Sequence, residues 1–396
     1  MRSWRRPSLF SRRTPASLEP NRLSNTLDAL RAAGAPLIDL TVSNPTRVNL
    51  PYPREEILAA LHDPAALGYE PTAQGLPAAR EAIAEWHAAQ GAPVDPDHII
   101  LTGSTSEAYA WLFKLLCDPG DNVLTPRPSY PLFECLAELE GVEVRQYSLV
   151  EELRWGIDLN ALEARVDERT RAIVVVNPNN PTGTYLKQSE WLRLQEFAAV
   201  RGLAILSDEV FFDYPWQPDP SRVSSLQGPH LALTFTLSGL SKVAGLPQMK
   251  LGWIHAAGPP AARREALERL EWIADSYLPV SAPVQHAAAR WLQLTPFIQA
   301  GIRTRTIGNL AAFTQAIAPE SGWRVLPSEG GWCAILEAPR FHGEEEWALM
   351  ALQSHFVHFQ PGFFYDFDRE VFLVASLLVV PEVLEIALRR LTFLLR

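Results

Sequence analysis

Thr236-Leu-Ser-Gly-Leu-Ser-Lys242-Val-Ala-Gly-Leu-Pro-Gln-Met-Lys250-Leu-Gly-Trp253 is the stretch from which the rest of the chain can be read. An apolar run over 231–237 ends at Ser238, and Ser241 and Lys242 follow at once. Lysine is scarce, with four lysines among 35 basic residues. A primary amine just past a buried strand, flanked by Ser238 and Ser241 and followed by a second cation at Lys250, has the make-up of a Schiff-base lysine for a phosphate-bearing aldehyde. An imine needs an amine that can shed its proton, which arginine cannot do. Lys114, in Ala110-Trp-Leu-Phe-Lys114-Leu-Leu, and Lys187, beside Gln188 and Glu190, read instead as solvated or snorkelling side chains.

Outward from this stretch, short apolar runs of strand length alternate with longer helical patterns, at 98–101, 122–125, 172–176, 203–206, 231–236 and 251–255. That alternation predicts an α/β domain whose mostly parallel sheet is buried on both faces and flanked by helices. Ligand-binding loops then belong at the carboxyl ends of the strands. The polar residues that stand out follow strands in this way: Ser104 after the first run, Asn177 to Thr182 after the third, Asp208 after the fourth and Lys242 after the fifth. From about Thr295 the pattern changes to a long helix, a Gly-Trp-Arg-Val-Leu326 strand, the pair Gly330-Gly331 and a closing helix from Pro381. The expected organisation is a large cofactor-binding domain over 48–294, a smaller α+β domain from 21–47 and 295–396, and a basic arm over 1–20.

With 47% hydrophobic and 20% charged residues the chain can bury one large core plus a smaller one, and a formal charge of -10 argues against nucleic acid or an anionic membrane as partner. The expected partner is a small molecule. Cys117, Cys135 and Cys333 are far apart and lack a CxxC spacing, so they read as reduced thiols of a cytoplasmic protein. The nine histidines are scattered, with no zinc-binding spacing. Arg2, Arg5, Arg6, Arg12 and Arg13 precede no apolar h-region, so they read as a short basic arm rather than a targeting signal. No apolar run reaches the ~18 residues of a membrane-spanning helix.

Four further segments bear on the chemistry of Lys242. Asn177-Pro-Asn-Asn-Pro-Thr-Gly183 is a proline-punctuated loop right after a buried strand, and Asn180 in it can donate to a ring oxygen. Ser207-Asp-Glu-Val210 puts the carboxylate of Asp208 at the end of an apolar strand, where an isolated charge costs several kcal/mol unless paired; a protonated pyridine nitrogen would pair it. Thr102-Gly-Ser-Thr-Ser-Glu107 opens a helix, so hydroxyls and unbonded N–H groups gather where phosphate binds, although a plain capping box explains the same residues. Tyr69 and Tyr130, taken singly, fit core or turn positions.

Taken together, from about Asn21 onward, these segments resemble the fold-type-I pyridoxal-phosphate enzymes, and specifically the class I/II aminotransferases. NPNNPTG, SDEV and GLSK stand in the family order. The resemblance implies pyridoxal 5'-phosphate bound as a Schiff base on Lys242, which also shuttles the proton of the substrate's α-carbon. It implies Asp208 on the ring nitrogen, Asn180 on the phenolic oxygen, Tyr130 on the ring face, and Ser104, Thr105 and Ser106 as a phosphate cup, with Ser238 nearby. It further implies a homodimer with shared active sites, to which Tyr69 and Ser281 reach across. The expected reaction is ping-pong transfer of an amino group between a small amino donor and a 2-oxo acid. A carbon–sulfur β-lyase is the alternative, because the same residues serve elimination.

Three positions depart from the family pattern. Lys250 stands where an arginine usually clamps the phosphate, so charge remains without the bidentate fork. Phe211 replaces a tyrosine that hydrogen-bonds the phenolic oxygen. Val374 occupies the place of the arginine that normally holds the substrate α-carboxylate. Either another cation does that work, with Arg47 the first choice and Arg369 the second, or the substrate has no free α-carboxylate.

Overall fold

The computed structural model describes residues 9–15, 19–369 and 371–395. Most of the basic arm expected over 1–20, including Arg2, Arg5 and Arg6, lies outside the described residues. The apolar runs become buried strands of one eight-stranded sheet, ordered Ile99–Thr102, Gly252–Ala257, Thr234–Gly239, Ala204–Asp208, Thr170–Val176, Asn122–Arg127, Glu143–Val150 and Gly156–Ile157. Six strands point the same way, while Gly252–Ala257 and Gly156–Ile157 run against their neighbours.

Successive residues of a strand face opposite sides of the sheet. Ile173, Val175 and Ile205 pack with Trp191, Leu194 and Ala198 of the helix Gln188–Arg201. Ala172, Val174 and Leu206 pack with Leu112 and Phe113 of Thr105–Leu116 and with Leu270 of Pro260–Tyr277. Both faces are therefore dry, which is why these strands read as continuous apolar runs. Each such Leu, Ile or Val contributes about 1.5–3 kcal/mol when buried, so the sheet holds the fold and leaves its end loops open to chemistry. The carboxyl ends of the co-directional strands share one edge, and the antiparallel Gly252–Ala257 brings its start, next to Lys250, to that same edge.

The smaller part contains an antiparallel sheet ordered Arg324–Val325, Cys333–Glu337, Phe372–Ser376 and Gln360–Pro361. Its core draws on Arg22–Ala32 and Glu344–His355 through Leu23, Leu27, Trp347 and Leu352. Two elements differ from expectation. Glu143–Val150 is an additional strand whose Glu143, Arg145 and Gln146 are exposed or half-buried, so it carries no continuous apolar signal. The long helix starts at Ala282, not near Thr295, and runs to Ala316 through Pro296. Burial of Trp291, Leu292, Ile298 and Ile302 offsets the ~3 kcal/mol that an interior proline costs. This helix crosses the expected boundary at 294/295 and packs on both Pro77–Ala89 and Pro381–Arg390.

Candidate active site

Lys242 lies in a single helical turn, Leu240–Val243, directly after the strand Thr234–Gly239. Its Nζ sits 5.4 Å from the ring centre of Phe211 and 5.1 Å from that of Trp332. Burial lowers its pKa, against the pull of Cys333 and Asp208 in the other direction. The amine is thus readier to lose its proton than a solvated lysine.

Asp208 closes the strand Ala204–Asp208. The Tyr109 hydroxyl donates to its Oδ2 at 3.2 Å and the Val210 N–H to its Oδ1 at 3.2 Å. Burial pushes its pKa up to about 6, although those two bonds and the Lys242 charge pull it down. Among the described residues it forms no ion pair, and neither does Lys242. The adjacent Glu209 is a different kind of acid. Ser224 Oγ donates to it at 2.5 Å, Ser225 N–H at 2.6 Å and Asn177 Nδ2 at 3.0 Å, so it is buried and fully engaged in holding loops together. Of the two carboxylates in Ser207-Asp-Glu-Val210, only Asp208 is left for a ligand.

Asn180 comes to the same edge from the loop after Thr170–Val176, with the Cys333 thiol 3.6 Å from its Oδ1. That loop meets the smaller part closely: a Cβ on Gly183 would lie 2.3 Å from the Gly330 carbonyl oxygen. Residues 329–331 are pinned by bonds from Trp216 N–H to the Glu329 carbonyl at 2.9 Å and from Gly331 N–H to the Tyr214 carbonyl at 3.0 Å. Trp332 is held against Lys242 as a result.

Ser104 caps the helix Thr105–Leu116, its Oγ accepting from Glu107 N–H at 3.2 Å, while the Glu107 carboxylate accepts from Gly103 N–H at 2.6 Å. The capping explanation therefore accounts for Ser104 and Glu107, and Thr105 and Ser106 remain partly exposed at the helix start. A Cβ on Gly252 would come within 3.2 Å of Thr105 N, so that glycine lets the lysine-bearing edge approach the helix start. Lys250 is exposed and held at φ 56°, and Ser238 is buried opposite Trp253. Tyr130 is 48% exposed and Tyr69 69% exposed. Ser281 is exposed at the start of Ala282–Ala316, where its side chain makes no capping bond.

Several expectations need correcting. Lys187 is not solvated: its Nζ bonds Asp219 at 2.8 Å and Glu329 at 2.7 Å, because a carboxylate on the loop before Gly330 lies within reach. Lys114 is exposed, as a snorkelling side chain would be, and also pairs with Glu140, 5.5 Å from the Tyr277 ring centre. Arg369, the second choice as substrate anchor, is paired with Glu337 at 2.6 Å and with Glu151. Beside Phe211, the Tyr214 hydroxyl donates to the Lys242 backbone carbonyl at 2.5 Å and is thereby engaged within the chain. Val374 is buried in an apolar strand, and none of Phe372–Ser376 carries a charge. Arg47 stays exposed in the turn Pro45–Arg47 and forms no ion pair among the described residues. Sequence reasoning missed Tyr109, Trp332 and Cys333. Their only signal was a polar or aromatic residue within a buried element, and their role depends on contacts with distant parts of the chain.

Comparison with known proteins adds an independent line. A family model described as aminotransferase class I and II matches residues 35–390. Nicotianamine aminotransferase 1 of Oryza sativa subsp. japonica is 36% identical over 197 residues, covering 49% of this chain and 40% of that protein. Glutamate-pyruvate aminotransferase AlaA of Escherichia coli (strain K12) is 30% identical over 260 residues, covering 65% and 64%. The match thus spans less than two thirds of either curated relative. An alanine aminotransferase from Pyrococcus furiosus superposes with a TM-score of 0.85 at 24% identity, covering 94% of this chain and 95% of that one, which is a likeness of fold.

Proposed function

Because the chain belongs to the aminotransferase class I and II family, we propose that it moves an amino group between a small amino donor and a 2-oxo acid, with pyridoxal 5'-phosphate as cofactor and a ping-pong order of events. The observation that carries this reading is a half-buried amine, Lys242, and a carboxylate, Asp208, brought to one sheet edge with no ion-pair partner among the described residues. A strand-end acid whose pKa is raised by burial calls for a cation.

The donor set fits pyridoxal phosphate. Asp208 would hold the ring nitrogen in its protonated form, Asn180 the phenolic oxygen and Tyr130 a ring face. Thr105, Ser106 and the N–H groups of the helix start would take the phosphate, with Ser104, Ser238 and Lys250 alongside. Bound there, the group supplies an aldehyde for amines and a ring that draws electrons from the substrate carbon. Lys242 is placed to act as the base, taking the proton from the α-carbon and returning it, which its lowered pKa favours. Phe211 and Trp332 wall the amine and exclude water from one side. Arg47 is the proposed carboxylate anchor.

Tyr69 and Ser281 would complete a partner's site in a homodimer, consistent with the exposed Leu67, Tyr69 and Leu278. The proposed setting is the cytoplasm, where Cys117, Cys135 and Cys333 would stay reduced. An amino-donor screen followed by product analysis tests the reading. It should yield a 2-oxo acid together with the aminated cofactor. Ammonia and pyruvate without the aminated cofactor would mark a β-lyase instead, and turnover of amines but of no α-amino acid would mark a substrate lacking a free α-carboxylate.

A further inference from the structure

A four-residue helix has almost no internal hydrogen bonds, so its backbone carbonyls depend on outside donors. In Leu240–Val243 two such donors come from distant parts of the chain, beside the local Ala244 N–H on the Leu240 carbonyl and Gly245 N–H on the Lys242 carbonyl, each at 3.2 Å. The Tyr214 hydroxyl reaches the Lys242 carbonyl at 2.5 Å and the Val243 carbonyl at 3.3 Å. Gln299 Nε2, from the middle of Ala282–Ala316, reaches the Val243 carbonyl at 2.9 Å. Just beyond the turn, the Tyr52 hydroxyl donates to the Gly245 carbonyl at 2.6 Å. Tyr214 and Gln299 are buried, so water does not replace a bond lost from either; without Tyr214 the Lys242 carbonyl keeps only the Gly245 N–H at 3.2 Å.

Bonds that merely hold the fold together could fall anywhere along the backbone. Here those of Tyr214 and Gln299 converge on the residue that bears the amine and on its neighbour. The Lys242 side chain is long and flexible, and its Nζ rests between Phe211, Trp332 and the charge of Asp208. Where its backbone sits fixes how deeply the amine is desolvated. We propose that Tyr214 and Gln299 are positioning residues that clamp the Lys242 turn and thereby hold the amine in its desolvated place. This rests on Lys242 being the reactive lysine, but its test needs neither cofactor nor turnover.

The experiment is competitive acylation of the cofactor-depleted full-length protein across a pH series, with mass spectrometry of Lys242 against Lys114, Lys187 and Lys250. Wild type, Tyr214→Phe, Gln299→Leu and the double variant are compared with Tyr147→Phe, which removes an equally buried hydroxyl from the Val174 carbonyl at 2.8 Å, away from the lysine turn. Asp208 and Cys333, the groups electrostatically coupled to the amine, are unaltered throughout. The expected result is a rise of about one unit in the apparent pKa of Lys242 in the double variant, a smaller rise in each single variant and none in Tyr147→Phe. An unchanged Lys242 titration in Tyr214→Phe, with the same loss of stability as in Tyr147→Phe, would overturn the proposal, and Tyr214→Phe alone decides if Gln299→Leu does not fold. If instead wild type moves no amino group in the donor screen while the Lys242 shift is present, the aminotransfer reading fails and the clamp stands.

Discussion

Two regions of this molecule treat buried and half-buried charge in opposite ways. At the carboxyl edge of the large sheet, Lys242 and Asp208 form no ion pair among the described residues, and burial drives the Asp208 pKa up to about 6. In the smaller part, the effect of burial on Glu337 is outweighed by hydrogen bonds from Arg369 and Arg324, so its pKa falls below the ordinary value. Arg369 and Arg324 also engage Glu151, tying the smaller part to the turn that follows the strand Glu143–Val150 of the large sheet. The charges of the Glu337, Arg369, Arg324 and Glu151 cluster are satisfied within the chain. Charges left unpaired cost stability and mark where a ligand is to bind.

The largest effect that separates the two regions concerns Lys242. Lys242→Ala should lower turnover by about 10⁴-fold or more, the upper range for a positioned proton-transfer group, while leaving the unfolding midpoint nearly unchanged. Borohydride reduction of the holoprotein and peptide mapping should place the label on Lys242. Label on Lys114, Lys187 or Lys250 would break the assignment.

Asp208 comes next, and it carries a stability consequence of definite sign. Asp208→Asn should reduce the rate by about 10²–10³-fold, as expected for losing a preorganised electrostatic partner. In the cofactor-depleted protein the same change should stabilise. Asp208 titrates near 6 when folded against an ordinary 3.8, so the unfolded chain releases this proton first, and wild type loses stability as pH rises from about 4 to about 6. The loss amounts to at most about 3 kcal/mol, and Asn escapes it. Denaturant titrations at pH 4 and pH 8 read the difference directly. Glu337 works with the opposite sign, its contribution fading as pH falls below the ordinary 4.5. Equal stability of wild type and Asp208→Asn at pH 8 would remove the contrast.

The sequence made the unpaired edge visible because the sheet is buried on both faces. A lysine, an aspartate or an asparagine just beyond a continuous apolar run has few structural reasons to be there, so Lys242, Asp208 and Asn180 stood out without coordinates. Paired charges give no such signal. Lys187 meets Glu329 across 142 residues, and Arg369 meets Glu151 across 218. Nothing local in either segment announces those contacts. For the same reason Glu143–Val150 was hidden by its polar residues, and the start of the long helix at Ala282 was hidden by Pro296.

Arg47 and Arg369 test the contrast within a single residue type. Arg47 has no ion pair among the described residues, so Arg47→Ala should raise KM for an amino-acid donor by about 10²-fold, reflecting about 3 kcal/mol for a carboxylate left without its partner. Stability should barely change. Arg369→Ala should do the reverse, lowering the unfolding midpoint with KM within about twofold. Steady-state kinetics and thermal unfolding of the two variants settle the matter, and an unaltered KM in Arg47→Ala would remove Arg47 from the substrate site.

The smallest expected effect concerns Phe211, the one apolar residue facing Lys242 where the family pattern has a tyrosine. Its ring lies edge-to-face on Trp332, with centres 5.1 Å apart, and 5.4 Å from Lys242 Nζ. The Tyr214 hydroxyl beside it is engaged within the chain, donating to the lysine backbone. With no hydroxyl at 211, negative charge on a bound phenolic oxygen is shared with Asn180 alone and favours a proton on the nearby nitrogen of Lys242. Phe211→Tyr would add a donor that draws off this charge. The pKa of the lysine-bound chromophore should then fall by about one unit, read by absorbance titration of both holoproteins. An unchanged or raised value would mean that residue 211 does not face the cofactor and that the unpaired edge ends at Lys242 and Asp208.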